Sequence, residues 1–129
     1  MNHVKAFAAK EQSAPLNDFI IERRAVGPDD VQIDISYCGV CHSDLHMVNN
    51  DWGISAYPLV PGHEIIGHVT GIGTNVENFK KNDRVSVGCF VDSCRNCEAC
   101  KMHLEQYCLN GFKMTYGSET DDPGGLTFG

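Results

Sequence analysis

Cys94, Cys97, Cys100 and Cys108 fall within fifteen residues, separated by gaps of two, two and seven. Gaps this short let one loop wrap its thiolates around a single tetrahedral ion. Disulfide pairing is disfavoured, because the chain has seven cysteines, an odd number, and its start shows no apolar run of signal-peptide length. An iron–sulfur cluster also uses successive two-residue gaps, but ferredoxins continue with a three-residue gap and Cys-Pro. Here the last gap is longer and Leu109 follows. The spacing therefore favours four-cysteine zinc, with iron–sulfur and a metal-free loop as the alternatives. A closed four-sulfur shell offers no open coordination position, so such an ion would brace a lobe within residues 92–110 and leave the chemistry to other residues.

A second group of candidates is scattered. Cys41 follows a predicted strand, and His63 with Glu64 follows the rigid Pro61-Gly62 turn. If the two loops meet, a thiolate, an imidazole and a carboxylate converge, a set that leaves zinc one position open for substrate. Spacing alone does not decide this, since the ligands are more than twenty residues apart. In the plainer reading Cys41 is a small buried hydrophobe and His63 a hydrogen-bonded turn residue. Cys38-Gly39-Val40-Cys41 also has the spacing of a redox dithiol, although such motifs sit at a helix start after a buried strand. Cys38 and Cys89 read as buried packing thiols, and His3, His68 and His103 have no partner visible in the sequence.

The elements that must position these residues are mostly strands. Thirteen glycines, five prolines and short apolar stretches divided by turn residues describe a β-rich domain of single-domain size. Val4–Ala8 and Phe19–Val26 are predicted to pair. After the Gly27-Pro28-Asp29-Asp30 turn, Val31, Ile33, Ile35 and Tyr37 alternate with polar residues, which predicts one buried face and one wet face. Ser43 or Asp44 is expected to cap a short helix running to about Asn50. Residues 52–61 form a loop carrying the only tryptophan, followed by strands Ile65–Ile72 and Val85–Val91. Gly71-Ile72-Gly73 has the first two glycines of a dinucleotide fingerprint without the third, and is read as a strand-end turn. The tail, with Pro123-Gly124-Gly125, is expected to end without a closing element, as a truncated chain would. Seventeen acidic against ten basic side chains, a net charge of −7, argue against a nucleic-acid backbone as partner. No stretch approaches the roughly 20 apolar residues of a membrane span, and a reducing, cytoplasmic setting is expected.

Tyr-Cys-Gly-Val-Cys-His-Ser-Asp-Leu-His at 37–46, Pro-Gly-His-Glu at 61–64 and the cysteine lobe at 94–108 together resemble the catalytic domain of zinc-dependent medium-chain alcohol dehydrogenases. The branch they resemble is that of cinnamyl alcohol dehydrogenases and NADP-dependent aldehyde reductases. The resemblance implies a GroES-like fold: a mostly β, partly open barrel with short helices and a four-cysteine zinc lobe. It implies that residues 1–129 are the catalytic domain alone, with a Rossmann domain and a further cysteine ligand lying downstream. By the same resemblance Cys41 and His63 bind the catalytic zinc, with Glu64 as an alternate ligand, and Cys94, Cys97, Cys100 and Cys108 bind the structural one. Asp44 would fix the tautomer of the histidine ligand from behind. Ser43 would take the alcohol proton and pass it through the cofactor ribose to His46. His42 would meet the cofactor pyrophosphate, and Trp52 would wall the substrate pocket.

The implied cofactors are zinc, two per intact subunit, and NADP(H). The implied partner is a small-molecule alcohol or aldehyde, with no nucleic acid or membrane, and the implied assembly is a homodimer or homotetramer. The expected activity is interconversion of a primary alcohol and an aldehyde by hydride transfer, as part of a larger enzyme. The alternative is an isolated zinc-binding fragment or scaffold without catalysis.

Overall fold

The computed structural model describes residues 2–122 and 125–129; the Pro123-Gly124 pair of the expected tail lies outside the described residues. Three small antiparallel sheets carry the chain. Strand β1 (Asn2–Ala8) pairs with β2 (Asn17–Arg23), setting Val4 opposite Ile21 and Ala6 opposite Phe19. Strand β3 (Val31–Gly39) pairs with β4 (Glu64–Ile72), and β4 with β5 (Arg84–Val87). Between β3 and β4 runs helix α1 (His42–Asn49). The expected strand 85–91 is broken: the chain leaves β5 at Gly88 and Cys89 and starts a separate strand β6 (Phe90–Asp92), which pairs with β7 (Lys113–Met114). Helix α2 (Glu98–Lys101) and a 3₁₀ turn (Glu105–Tyr107) lie in the lobe between them. Mostly β architecture with no closed barrel is thus what the molecule has. Among the described residues no helix is long and apolar enough to cross a membrane.

Two small cores organise this frame. Ala8, Ile21, Val60 and Phe128 form one, and Met47, Leu59 and Tyr116 the other, directly under α1. The segment after α1 is bound to the helix end, where carbonyls have no partner within the helix. The Ser55 hydroxyl donates to Met47 O at 2.6 Å and Tyr57 to Val48 O at 2.8 Å, and from the loop between β1 and β2 Gln12 donates to Asn49 O at 2.8 Å. Leu59 then exchanges two backbone hydrogen bonds with Ala9, at 2.8 and 2.9 Å, which joins the two cores.

Three expectations are corrected. The apolar face of β3 is not buried along its length: Ile35 is 52% and Tyr37 77% exposed, and Asp34, Ser36 and Cys38 between and beside them are exposed too, so both faces of the strand are open from 34 to 38. The tail does close on the fold. Phe128 enters the first core, its carbonyl accepts from Arg23 at 2.9 Å, and Gly129 N donates to Val60 O at 3.0 Å. Burial lowers the pKa of Arg23 against the opposing field of Asp122. Cys38 and Cys89 are exposed, not packed. The turn reading of Gly71-Ile72-Gly73 agrees with the structure, since β4 ends at Ile72 and Gly73 N donates to Asp30 O at 2.8 Å.

Candidate active site

The long gap between Cys41 and His63 is closed by strand pairing. Antiparallel register sets Gly39, at the end of β3, against Glu64, at the start of β4. Cys41 follows two residues beyond that pair and His63 precedes it by one, so the two motifs emerge side by side. Their approach leaves little room for side chains. A Cβ on Gly39 would meet the Glu64 side chain, which would have to shift, and one on Gly62, whose φ of +132° favours glycine, would lie 2.7 Å from Cys38 Sγ. The result is that one donor atom each from Cys41, His63 and Glu64 lies within 4.8 Å of the others.

Helix α1 starts on Cys41, not on Ser43 or Asp44 as expected. Cys41 is the N-cap, and Asp44 reaches back from the first turn so that Oδ2 accepts from Cys41 N at 2.9 Å. That bond fixes the residue carrying the thiol. Asp44 is 6% exposed, and its other oxygen accepts from the hydroxyl of Tyr116 at 2.6 Å. His63 Nδ1 stands 3.8 Å from the same oxygen, beyond direct hydrogen-bond reach, while its ring stacks on Tyr116 at 5.7 Å with an 8° interplanar angle. Burial first, and then the bond to Asp44, push the Tyr116 pKa far up, so its phenol stays a donor.

The other expected residues line the mouth. Ser43 Oγ lies 3.6 Å from Cys41 Sγ. His46 Nδ1 pairs with Asp51 Oδ2 at 2.8 Å, and its ring sits between those of His42, at 4.8 Å, and Trp52, at 5.0 Å. His42 and Trp52 are exposed. Cys38 lies on a strand paired antiparallel, which does not give the buried-strand context of a redox dithiol.

The second cluster is built locally. Four sulfurs about 2.3 Å from one tetrahedral ion stand roughly 3.8 Å apart. Cys94 and Cys100 sulfurs are 3.9 Å apart, Cys97 and Cys100 sulfurs 3.5 Å, and all four donors lie within 4.8 Å of one another. Backbone amides point at the sulfurs: Cys97 N to Cys94 at 3.3 Å, Cys94 N to Cys108 at 3.4 Å and Leu109 N to Cys97 at 3.4 Å. Donors aimed at sulfur favour thiolate, the form that ligates metal. They bring Cys94 down to about 6, backbone amides at Asn96 and Cys97 being the main cause. Cys100, despite the lowering effect of the Ser93 hydroxyl, is pushed up to about 11 by burial and by the thiols of Cys97 and Cys108. Four thiols within 4.8 Å of one another, with backbone amides aimed at three of them, suit a single divalent cation.

Two residues of the site escaped the sequence reading. Asp51 follows His46 by five positions just past the helix end, and that proximity was a usable signal. Tyr116 is 72 positions from Asp44 and belongs to no motif, so no spacing rule points to it.

Residues 27–127 match the model of the alcohol dehydrogenase GroES-like domain. The chain is 54% identical over 123 residues to a probable mannitol dehydrogenase of Fragaria ananassa, covering 95% of this chain and 34% of that protein. The structure of a cinnamyl alcohol dehydrogenase from Sorghum bicolor superposes with a TM-score of 0.92 at 42% identity, covering 99% of this chain and 36% of that one. A structure of CAD from Helicobacter pylori complexed with NADP(H) superposes with a TM-score of 0.85 at 44% identity, covering 90% and 34%. The chain thus spans about a third of the length of the relatives it matches.

Proposed function

Because this chain belongs to the alcohol dehydrogenase GroES-like domain family, we propose that it is the zinc-bearing catalytic part of a larger oxidoreductase that interconverts a primary alcohol and an aldehyde with NADP(H). The observation that carries this reading is the convergence of Cys41, His63 and Glu64 to within 4.8 Å, beside a polar mouth and apart from the four-cysteine lobe. The preference for NADP(H) rests on the related structure complexed with it. Residues 1–129 are the catalytic domain in this reading, and the cofactor domain and a further ligand are supplied by chain beyond them.

Cys41 and His63 would hold the catalytic zinc, with Glu64, the exposed member of the set, as the ligand that can come and go. Cys94, Cys97, Cys100 and Cys108 would hold a second zinc that braces the lobe. When bound, the catalytic ion supplies Lewis-acid polarisation of the substrate oxygen, and the nicotinamide supplies or accepts the hydride.

The chain's own side chains do the rest. Ser43, next to Cys41, accepts the proton of the substrate hydroxyl as it gives its own proton onward toward His46. His46 delivers it to solvent: Asp51 holds its Nδ1, which leaves Nε2 as the outward acceptor. Trp52, whose ring is tilted 34° against that of His46 with centroids 5.0 Å apart, walls the pocket and packs on that imidazole. Exposed His42, at the first turn of α1, is placed to meet the cofactor pyrophosphate, where the positive end of the helix also favours anions.

The test is NADPH-dependent reduction of an aromatic aldehyde by the protein carrying this chain, compared with its His63→Ala and Ser43→Ala variants. Loss of turnover on His63→Ala, with the lobe metal still bound, supports the reading. Turnover by the isolated 129-residue chain, or wild-type rates in His63→Ala, would refute it.

A further inference from the structure

Asp44 is a buried carboxylate that, among the described residues, has no guanidinium or ammonium against it. Its contacts among the described residues are the Cys41 amide at 2.9 Å, the Tyr116 hydroxyl at 2.6 Å and the His63 ring at 3.8 Å. A charge in that position is tolerated only if its lone pairs are filled. Cys41 N fills one oxygen, and Tyr116 fills the one that faces His63. The ring of the same tyrosine lies parallel to the imidazole, planes 8° apart and centroids 5.7 Å apart, an offset stack. It is itself clamped by Met47 and Leu59, both at most 2% exposed. One side chain therefore fixes where the carboxylate points and how far the imidazole can turn.

We propose that Tyr116 is a positioning residue for the metal-binding histidine: its hydroxyl aims the Asp44 carboxylate and its ring fixes the plane of His63, so that the free ring nitrogen is presented in one direction. This rests on the reading of Cys41, His63 and Glu64 as ligands. Tyr116 touches neither substrate nor ion. It acts through the two groups behind the site, and such outer partners change metal affinity by about 10–100-fold when removed. An ordinary core tyrosine would behave differently, costing stability alone when truncated and leaving metal affinity where it was.

Titration of the protein with Co²⁺ separates these roles, because the four-cysteine lobe gives an internal reference in the same molecule. Tyr116→Phe keeps the ring and loses the hydroxyl; Tyr116→Leu loses both. The expected result is about a tenfold weaker second Co²⁺ in Tyr116→Phe, a larger loss in Tyr116→Leu, altered visible bands for that ion and an unchanged lobe. Adding Tyr116→Phe to Asp44→Asn should cost little more than Asp44→Asn alone, since the hydroxyl acts through the carboxylate. Wild-type affinity and bands in Tyr116→Phe, or fully additive losses in the double variant, would overturn the proposal. If Tyr116→Phe fails to load the lobe, 3-fluorotyrosine at position 116, nearly isosteric and a stronger donor, carries the same test: moved bands support it and unmoved bands overturn it. A wild-type protein that takes up one Co²⁺ only, or a second one indifferent to Cys41→Ser, would show instead that the ligand assignment itself is wrong, and the proposal would fall with it.

Discussion

The two sulfur-bearing regions of this molecule are assembled in opposite ways. In the lobe, four donors come from fifteen consecutive residues and their sulfurs are held by amides of the same loop. At the other site, the donors come from two strand ends, their support comes from α1, and the residue behind that support lies 72 positions away. A local site needs only its own turn geometry. A long-range site inherits every defect of the fold that brings it together, and it can have an open, exposed mouth because the rigidity is supplied from behind.

This contrast predicts that the two regions fail separately. The largest effect should come from Cys100→Ser, which removes the most buried thiol of the lobe. Metal analysis should find the lobe ion lost while the Cys41 and His63 site keeps its affinity, because α2 and the 3₁₀ turn pack on each other within the stretch of chain between β6 and β7. Loss of both ions would erase the distinction. Next comes Leu59→Ala, 1% exposed and packed on Met47 and Tyr116 under the candidate active site. It should cost about 2–5 kcal/mol in urea unfolding, and it should weaken the ion at that site while leaving the lobe untouched.

The smallest effect belongs to a region that touches neither. Arg24 forms a two-pronged pair with Asp30 and reaches Asp122 at 2.6 Å, while Asp30 accepts from Gly27 N at 2.6 Å. The Arg24 hydrogen bonds hold the Asp30 carboxyl below its usual range against the opposing effect of burial. Its stabilisation is therefore present above the ordinary aspartate value of about 4 and fades as pH falls through the lowered one. Asp30→Asn should cost up to about 1 kcal/mol at neutral pH, the scale of a partly exposed pair. The gap from wild type should close in acid unfolding curves below about pH 4.

The same contrast explains what could be read from the sequence. Cys94, Cys97, Cys100 and Cys108 declare their cluster through spacing, since short gaps leave the chain little choice. Cys41 and His63 do not; their resemblance to a family located them, and the pairing of Gly39 with Glu64 supplies the physical reason they meet. The alternation of Val31 to Tyr37 marked a strand correctly but misjudged its burial, because alternation tells which residues share a face and not whether anything covers that face, and from 34 to 38 both faces are exposed. The tail looked open for want of a periodic pattern, yet Phe128, with Leu126 packed on the same core, anchors it there. Tyr116 stayed invisible, as any residue must whose role is defined by a partner on the far side of the fold.

The most direct test is metal content of the zinc-saturated protein before and after His63→Ala. Two ions per chain falling to one, with the remaining ion lost only on mutation of Cys94, Cys97, Cys100 or Cys108, is the predicted result. Two ions retained without His63, or a single ion in the wild type, would contradict it.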